Sequence, residues 1–105
     1  YLTLSNNNVT ITKEFFDKDA LIVENSGIKS VSLSKDCEPV VEVMFKAPVF
    51  GLWSAAGKGV PFVCIEPWYG RTDAIDSDGS LTAREWGNEL AGGETFTGGY
   101  RCKFL

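Results

Sequence analysis

The stretch of the chain best equipped for chemistry runs Pro61-Phe62-Val63-Cys64-Ile65-Glu66-Pro67-Trp68-Tyr69-Gly70-Arg71-Thr72-Asp73. Its apolar residues 62–65 read as a strand buried on both faces, as an interior strand is, and a period of two puts Glu66 on the face of Phe62 and Cys64. Pro61 and Pro67 are expected to bracket this strand, because proline cannot donate to a central ladder. A carboxylate then sits at the strand tip between aromatic residues, with a cation at Arg71 and an acid at Asp73. Partial burial raises a carboxyl pKa and a nearby guanidinium lowers it, and such opposed influences can tune a general base. Trp68 and Trp53 offer flat apolar faces to the C–H side of a sugar ring, while Asp and Arg read hydroxyls through charge-assisted hydrogen bonds. The same residues also permit a purely architectural arrangement, with Glu66 paired to Arg71 and a tryptophan capping the core.

A second segment is a decoy. Residues 76–85 carry most of a calcium-binding loop, and placing Gly79 at loop position six puts Asp76, Asp78 and Glu85 at positions three, five and twelve. Position one is then Ala74, which has no side-chain oxygen, and Pro67, Gly87 and Gly92-Gly93 deny the loop its two flanking helices. A polar surface turn is the expected structure. Cys37, Cys64 and Cys102 form an odd set with no CxxC pair, and Cys64 is expected to be a small buried hydrophobe in a central strand. The chain has no histidine. That removes the commonest metal ligand and the commonest general acid at neutral pH, and leaves no imidazole to activate a thiol. Chemistry must therefore rest on carboxylates, thiols, lysines or tyrosines. Asn8-Val9-Thr10 matches a glycosylation acceptor, but no secretory signal accompanies it.

Short strands separated by turn residues must position these groups. Residues 40–46 alternate, with Val41, Val43 and Phe45 on one face and Glu42 and Lys46 opposite. Residues 20–23 and 28–33 form two shorter runs around a turn at 24–27. A last strand is expected over 94–104, with a bulge at Gly98-Gly99. One short helix is expected over 13–17, with Thr12 as its cap and Ile11 and Phe16 as a hydrophobic staple. Asn6-Asn7-Asn8 reads as a turn, and Phe15, Phe16 and Trp86 as core or staple residues. The fold class that follows is all-β, an antiparallel β-sandwich with one short helix.

The chain of 105 residues fits one domain or part of one, 44% hydrophobic and 23% charged, which argues against disorder. A compact chain of this size buries roughly 65% of its unfolded surface. No apolar run approaches a membrane span of ~20 residues, and the opening Tyr1-Leu2-Thr3-Leu4 does not resemble a signal peptide. The formal net charge is −4, with the lysines scattered singly, which excludes a phosphate-backbone partner. The cysteine usage points to a reducing, cytoplasmic compartment.

Cys64 to Asp73, preceded by Phe50-Gly51-Leu52-Trp53-Ser54, resembles the C-terminal part of the aldose 1-epimerase (galactose mutarotase) family, in particular its bacterial LacX-like branch. Residues 16–22, Phe-Asp-Lys-Asp-Ala-Leu-Ile, resemble that branch's segment carrying a sugar-binding aspartate, and Leu90 with Gly93-Glu94-Thr95-Phe96 resembles its closing pattern. The resemblance implies a β-supersandwich and interconversion of the α and β anomers of aldoses. It assigns Glu66 as the base that takes the C1 hydroxyl proton, and Asp19 as a ligand of ring hydroxyls. Arg71 lies on the matching Gly-Arg-x-Asp stretch, either touching sugar or orienting Glu66. No metal or organic cofactor is implied. The family's catalytic histidines lie in an N-terminal part that has no counterpart here, so a catalytically incomplete C-terminal fragment is expected. Such a slice exposes strand edges and apolar faces, and self-associates or is completed by the N-terminal half. The alternatives are a non-catalytic carbohydrate-binding module that keeps Asp19, Trp68 and Glu66, and a structural sandwich that associates with another chain.

Overall fold

The computed structural model describes residues 4–24 and 26–105. Most of the opening tetrapeptide, and Asn25 of the turn expected at 24–27, lie outside the described residues. The strands are β1 (Leu21–Glu24), β2 (Ser30–Lys35), β3 (Glu38–Phe45), β4 (Val49–Trp53), β5 (Cys64–Trp68) and β6 (Tyr100–Phe104), with one 3-10 turn at Leu81–Ala83. They form two antiparallel three-stranded sheets, ordered β1-β4-β5 and β2-β3-β6. The fold is all-β. No helix among the described residues is long and apolar enough to cross a membrane.

The β2–β3 hairpin closes on Asp36 and Cys37, both at positive φ (51° and 69°), the backbone that a tight two-residue hairpin turn requires. Alternation along β3 then sends Val43 and Phe45 inward, where they are 6% and 5% exposed. After the short connection 46–48, with Ala47 buried, Phe50 on β4 meets Phe45 at a ring separation of 5.2 Å. This pair joins the two sheets. Val23, Leu52 and Ile65 from one sheet and Val31 from the other pack on the same cluster.

Several expectations are corrected. Residues 13–18 form successive turns rather than a helix. Their bonds run i→i+3 at alternate residues, from the N–H groups of Phe15, Asp17 and Asp19 to the carbonyls of Thr12, Glu14 and Phe16. Phe16, 3% exposed, anchors the segment, and Asp19 at φ 86° turns the chain into β1. β5 is an edge strand, not an interior one, and Pro67 lies within it, opposite Phe50. Proline is tolerated at an edge, where a missing N–H breaks no ladder on the solvent side. Cys64 accordingly lies on an edge strand and is half-buried. The interior strand is β4, whose Val-Phe-Gly-Leu-Trp sequence lacks alternation because both of its faces are covered.

The last strand is only Tyr100–Phe104, and Gly98-Gly99 precedes it rather than bulging it. A Cβ on Gly98 would stand 3.0 Å from the Phe96 ring. Next to it, the Tyr69 hydroxyl donates to the Gly99 carbonyl at 2.8 Å and accepts from its N–H at 3.1 Å. These glycines allow aromatic rings to approach the backbone. At the other end of the chain Asn6 and Asn7 form the expected turn, both at positive φ, closed by reciprocal Ser5–Asn8 backbone bonds.

The chain exposes 8436 Å² of surface, whereas a compact monomer of its mass exposes about 5,800 Å². Folding thus buries about half of the extended chain's surface, less than the roughly 65% of a compact domain. The radius of gyration, 16.0 Å, likewise exceeds the value of about 13 Å for a compact domain of this length.

Candidate functional site

In an antiparallel sheet, residues directly opposite one another project to the same side, and every second residue repeats it. The register Leu21↔Leu52↔Ile65 and Val23↔Phe50↔Pro67 defines the core-facing side of β1-β4-β5. The opposite side carries Ile22↔Gly51↔Glu66, Glu24↔Val49↔Trp68 and Trp53↔Cys64. Glu66, Trp68, Trp53 and Cys64 therefore share one face with Glu24.

Trp68 folds back across this face. Its indole N–H donates to Glu66 Oε2 at 3.2 Å, and its six-membered ring lies over Gly51, where a Cβ would stand 3.0 Å from Cζ2. Glycine is what gives the ring its seat. Trp68 engages only Oε2 of this carboxylate, and the Cys64 thiol is its second hydrogen-bonding neighbour. Burial, and then the neighbouring Glu66 carboxylate, push the Cys64 thiol pKa up. Cys64 is thus held as a neutral thiol beside the Glu66 carboxylate and is a poor nucleophile. Trp53, two residues further along the face, packs its ring 6.0 Å from Phe62.

Arg71 is not on Glu66. Its Nη1 contacts both carboxylate oxygens of Glu24 at 3.1 and 3.0 Å, with Glu85 at 3.5 Å. The Trp86 indole N–H donates to the same Glu24 carboxylate at 2.9 Å. Glu24 is the hub that the sequence reading did not single out. The Trp86 bond above all, and the Arg71 guanidinium after it, hold its carboxyl below the usual carboxylate range against the opposing effect of burial. The Glu66–Arg71 pair of the architectural reading does not form, and Arg71 does not orient Glu66. Trp86 is half-buried and hydrogen-bonded, not a core residue.

Asp19 stands apart from these groups. Its side chain accepts the Ala20 N–H at 2.7 Å, and none of its hydrogen bonds among the described residues reaches Glu66, Trp68 or Arg71. It lies in the bend before β1, at φ 86°, and so outside the strand that carries Ile22, the residue in line with Glu66. The structure thus brings Glu66, Trp68 and Trp53 to one face, fixes Arg71 beside that face through Glu24, and leaves Asp19 at the far end of β1.

An open cleft of about 560 Å³ adjoins Trp68 and is lined also by Arg71, Thr72, Arg84 and Asn88. Arg84 is paired to Asp73 at 2.7 Å, and the Asn88 amide donates to the Tyr69 carbonyl, so these loop residues are fixed from behind. A smaller cleft of about 240 Å³, between Ile28, Lys29 and Trp86, contains none of the candidate residues. The decoy loop is a capped turn: Ser77 Oγ accepts from Gly79 N–H and Asp78 Oδ1 from Ser80 N–H. No cluster of metal-ligating side chains occurs among the described residues. What the site offers chemically is a half-buried carboxylate, held by one indole, on the same face as a second indole.

Comparisons with protein-family models, with curated proteins and with solved structures find no match to this chain.

Proposed function

We propose that the chain is the C-terminal, sugar-facing portion of an aldose 1-epimerase-like isomerase of the LacX-like branch, in which Glu66 accepts the C1 hydroxyl proton of an aldose. The observation that carries the reading is the Glu66–Trp68–Gly51 arrangement, in which a half-buried carboxylate is oriented through Oε2 by an indole seated on a glycine. Trp68 and Trp53 supply the apolar surface for a ring's C–H face, and Arg71 and Asn88 in the adjoining cleft supply donors for its hydroxyls. Proton removal from the C1 hydroxyl opens the ring as the ring oxygen takes up a proton; rotation and closure then give the other anomer. No histidine is present to deliver that second proton. Losing one acid–base partner costs roughly 10²–10⁴-fold in rate, so this chain alone is slow or inactive. The excess surface supports the portion reading, and three unpaired thiols support a reducing, cytoplasmic setting.

The absence of an acid equally favours a second reading, a carbohydrate-binding module without catalysis. Magnetisation-exchange NMR of glucose and galactose anomers separates the two. Exchange above buffer that vanishes in Glu66→Gln supports the isomerase. Saturation transfer to sugar protons without exchange, lost in Trp68→Ala or Asp19→Ala, supports the module. Neither signal, at high sugar concentration, removes the module, and the isomerase portion is then tested by adding the N-terminal half of a LacX-like enzyme. Exchange that appears with the unmodified chain and not with Glu66→Gln supports it, and no exchange with either removes it.

A further inference from the structure

The β2-β3-β6 sheet ends on an edge to which no other strand among the described residues is paired. β6 pairs with β3 on one side only, in an unbroken register from Phe45↔Tyr100 to Val41↔Phe104, and a Leu105 N–H to Val40 carbonyl bond prolongs it. That register puts Tyr100, Cys102 and Phe104 on the same side as Val43 and Phe45, the core side of the sheet. Yet Tyr100 is 65% and Phe104 84% exposed. The core face simply continues onto β6 without a lid. Arg101 and Lys103 project to the other side, and neither joins an ion pair among the described residues. The opposite edge of the same sheet is unlike this one: β2 carries a register shift at Leu33/Ser34, outward serines and a terminal lysine, which blunt an edge.

We propose that β6 is an acceptor edge for an antiparallel strand from another polypeptide, one that alternates apolar with acidic residues. Its apolar side chains would cover Tyr100, Cys102 and Phe104, and its carboxylates would face Arg101 and Lys103. Backbone hydrogen bonds give such an added strand its affinity, and alternate side chains its selectivity. The charges decide against a second copy of this chain. Two β6 strands paired antiparallel about Cys102 place Arg101 opposite Lys103 twice, and like charges directly opposed destabilise a pair, whereas opposite charges stabilise it. The apolar side of the edge is itself open: Tyr100 and Phe104 are among the most exposed large apolar side chains of the described residues. The proposal is independent of the sugar site, which lies on the other sheet.

The test uses the chain as it stands and two seven-residue peptides, one alternating valine with glutamate and one alternating valine with lysine, at millimolar concentration. Amide chemical shifts and hydrogen exchange along residues 100–104 report docking. The acidic peptide is expected to protect the outward amides of β6 and to bind about tenfold more tightly than the basic one. In the Arg101→Glu variant, whose exposed side chain lies opposite Met44 rather than a charge, that preference is expected to be lost. No protection, equal binding of the two peptides, or an unchanged preference in the variant overturns the proposal. So does sedimentation showing a dimer of the free chain that Tyr100→Lys disperses, because the occupant is then a second copy.

Discussion

Glu66 and Glu24 stand in adjacent ranks on the same face of the β1-β4-β5 sheet, and a tryptophan indole holds each of them. The two were not equally visible in the sequence. Glu66 is held by Trp68, two residues away, so strand alternation alone brings them together. Glu24 is held by Arg71 and Trp86, which are 47 and 62 residues away, and no local pattern announces such a pairing. Proximity in sequence also misled, since it made Arg71 the natural partner for Glu66. Gly51 is the residue on which the Glu66 geometry turns. In Gly51→Ala the new methyl meets the Trp68 ring at 3.0 Å, so the ring must swing and its bond to Glu66 lengthen. Alanine is better than glycine in a strand by about 0.5–1 kcal/mol, while overpacking costs about 1–3 kcal/mol. The expected net loss is about 0–2.5 kcal/mol in denaturant titration, accompanied by a shift of the Trp68 indole proton resonance. An unmoved resonance would show that Gly51 does not set the ring.

At the scale of elements, the long segment between β5 and β6 is fastened to β1 through Glu24, and that fastening depends on charge. The folded carboxyl has a pKa below its ordinary value of 4.5. Its stabilisation is therefore complete above that value and is lost as pH falls through the lower folded one. The Trp86 indole proton resonance should move on acidification below pH 4.5, and Glu24→Gln should abolish that response while leaving Trp68 unaffected. A Trp86 resonance with the same acid titration in the variant would mean that another group holds the segment. The elements themselves were unevenly legible. β3 alternates because one of its faces meets the core, and its pattern shows it. β4 is covered on both faces, so no alternation marks it, and Gly51 disguises it further as a turn. The expected helix at 13–17 has a good cap residue and a staple pair, but so short a segment gains too little from local bonds. Burial of Phe16 fixes it in a different shape. A strand is expected over 62–65, where an apolar run suggests an interior position; β5 runs over Cys64–Trp68 instead, at an edge of its sheet.

For the molecule as a whole, the strands are real but the core between the sheets is thin. Val43, Phe45, Ala47 and Phe50 are its buried centre, and the Phe45–Phe50 contact is the aromatic link between one sheet and the other. The expectation of a fully formed core rested on length, and length cannot register that β6 carries the core face of its sheet out into solvent. A chain that leaves so much surface exposed has little stability in reserve, since even compact domains hold only about 5–15 kcal/mol. Truncating a buried phenylalanine costs about 3–5 kcal/mol. Phe50→Ala should therefore separate the sheets and abolish the cooperative thermal transition measured by circular dichroism in the isolated chain. An acidic strand docked on β6 should raise the transition of the unmodified chain, because whatever binds only the folded state stabilises it. The two effects read the same quantity from opposite sides. If Phe50→Ala melted cooperatively within a few degrees of the unmodified chain, the sheets would have to be held together by contacts other than the Phe45–Phe50 pair. The open surface would then be a property of a sturdy scaffold rather than of one that gains its stability on completion by a partner.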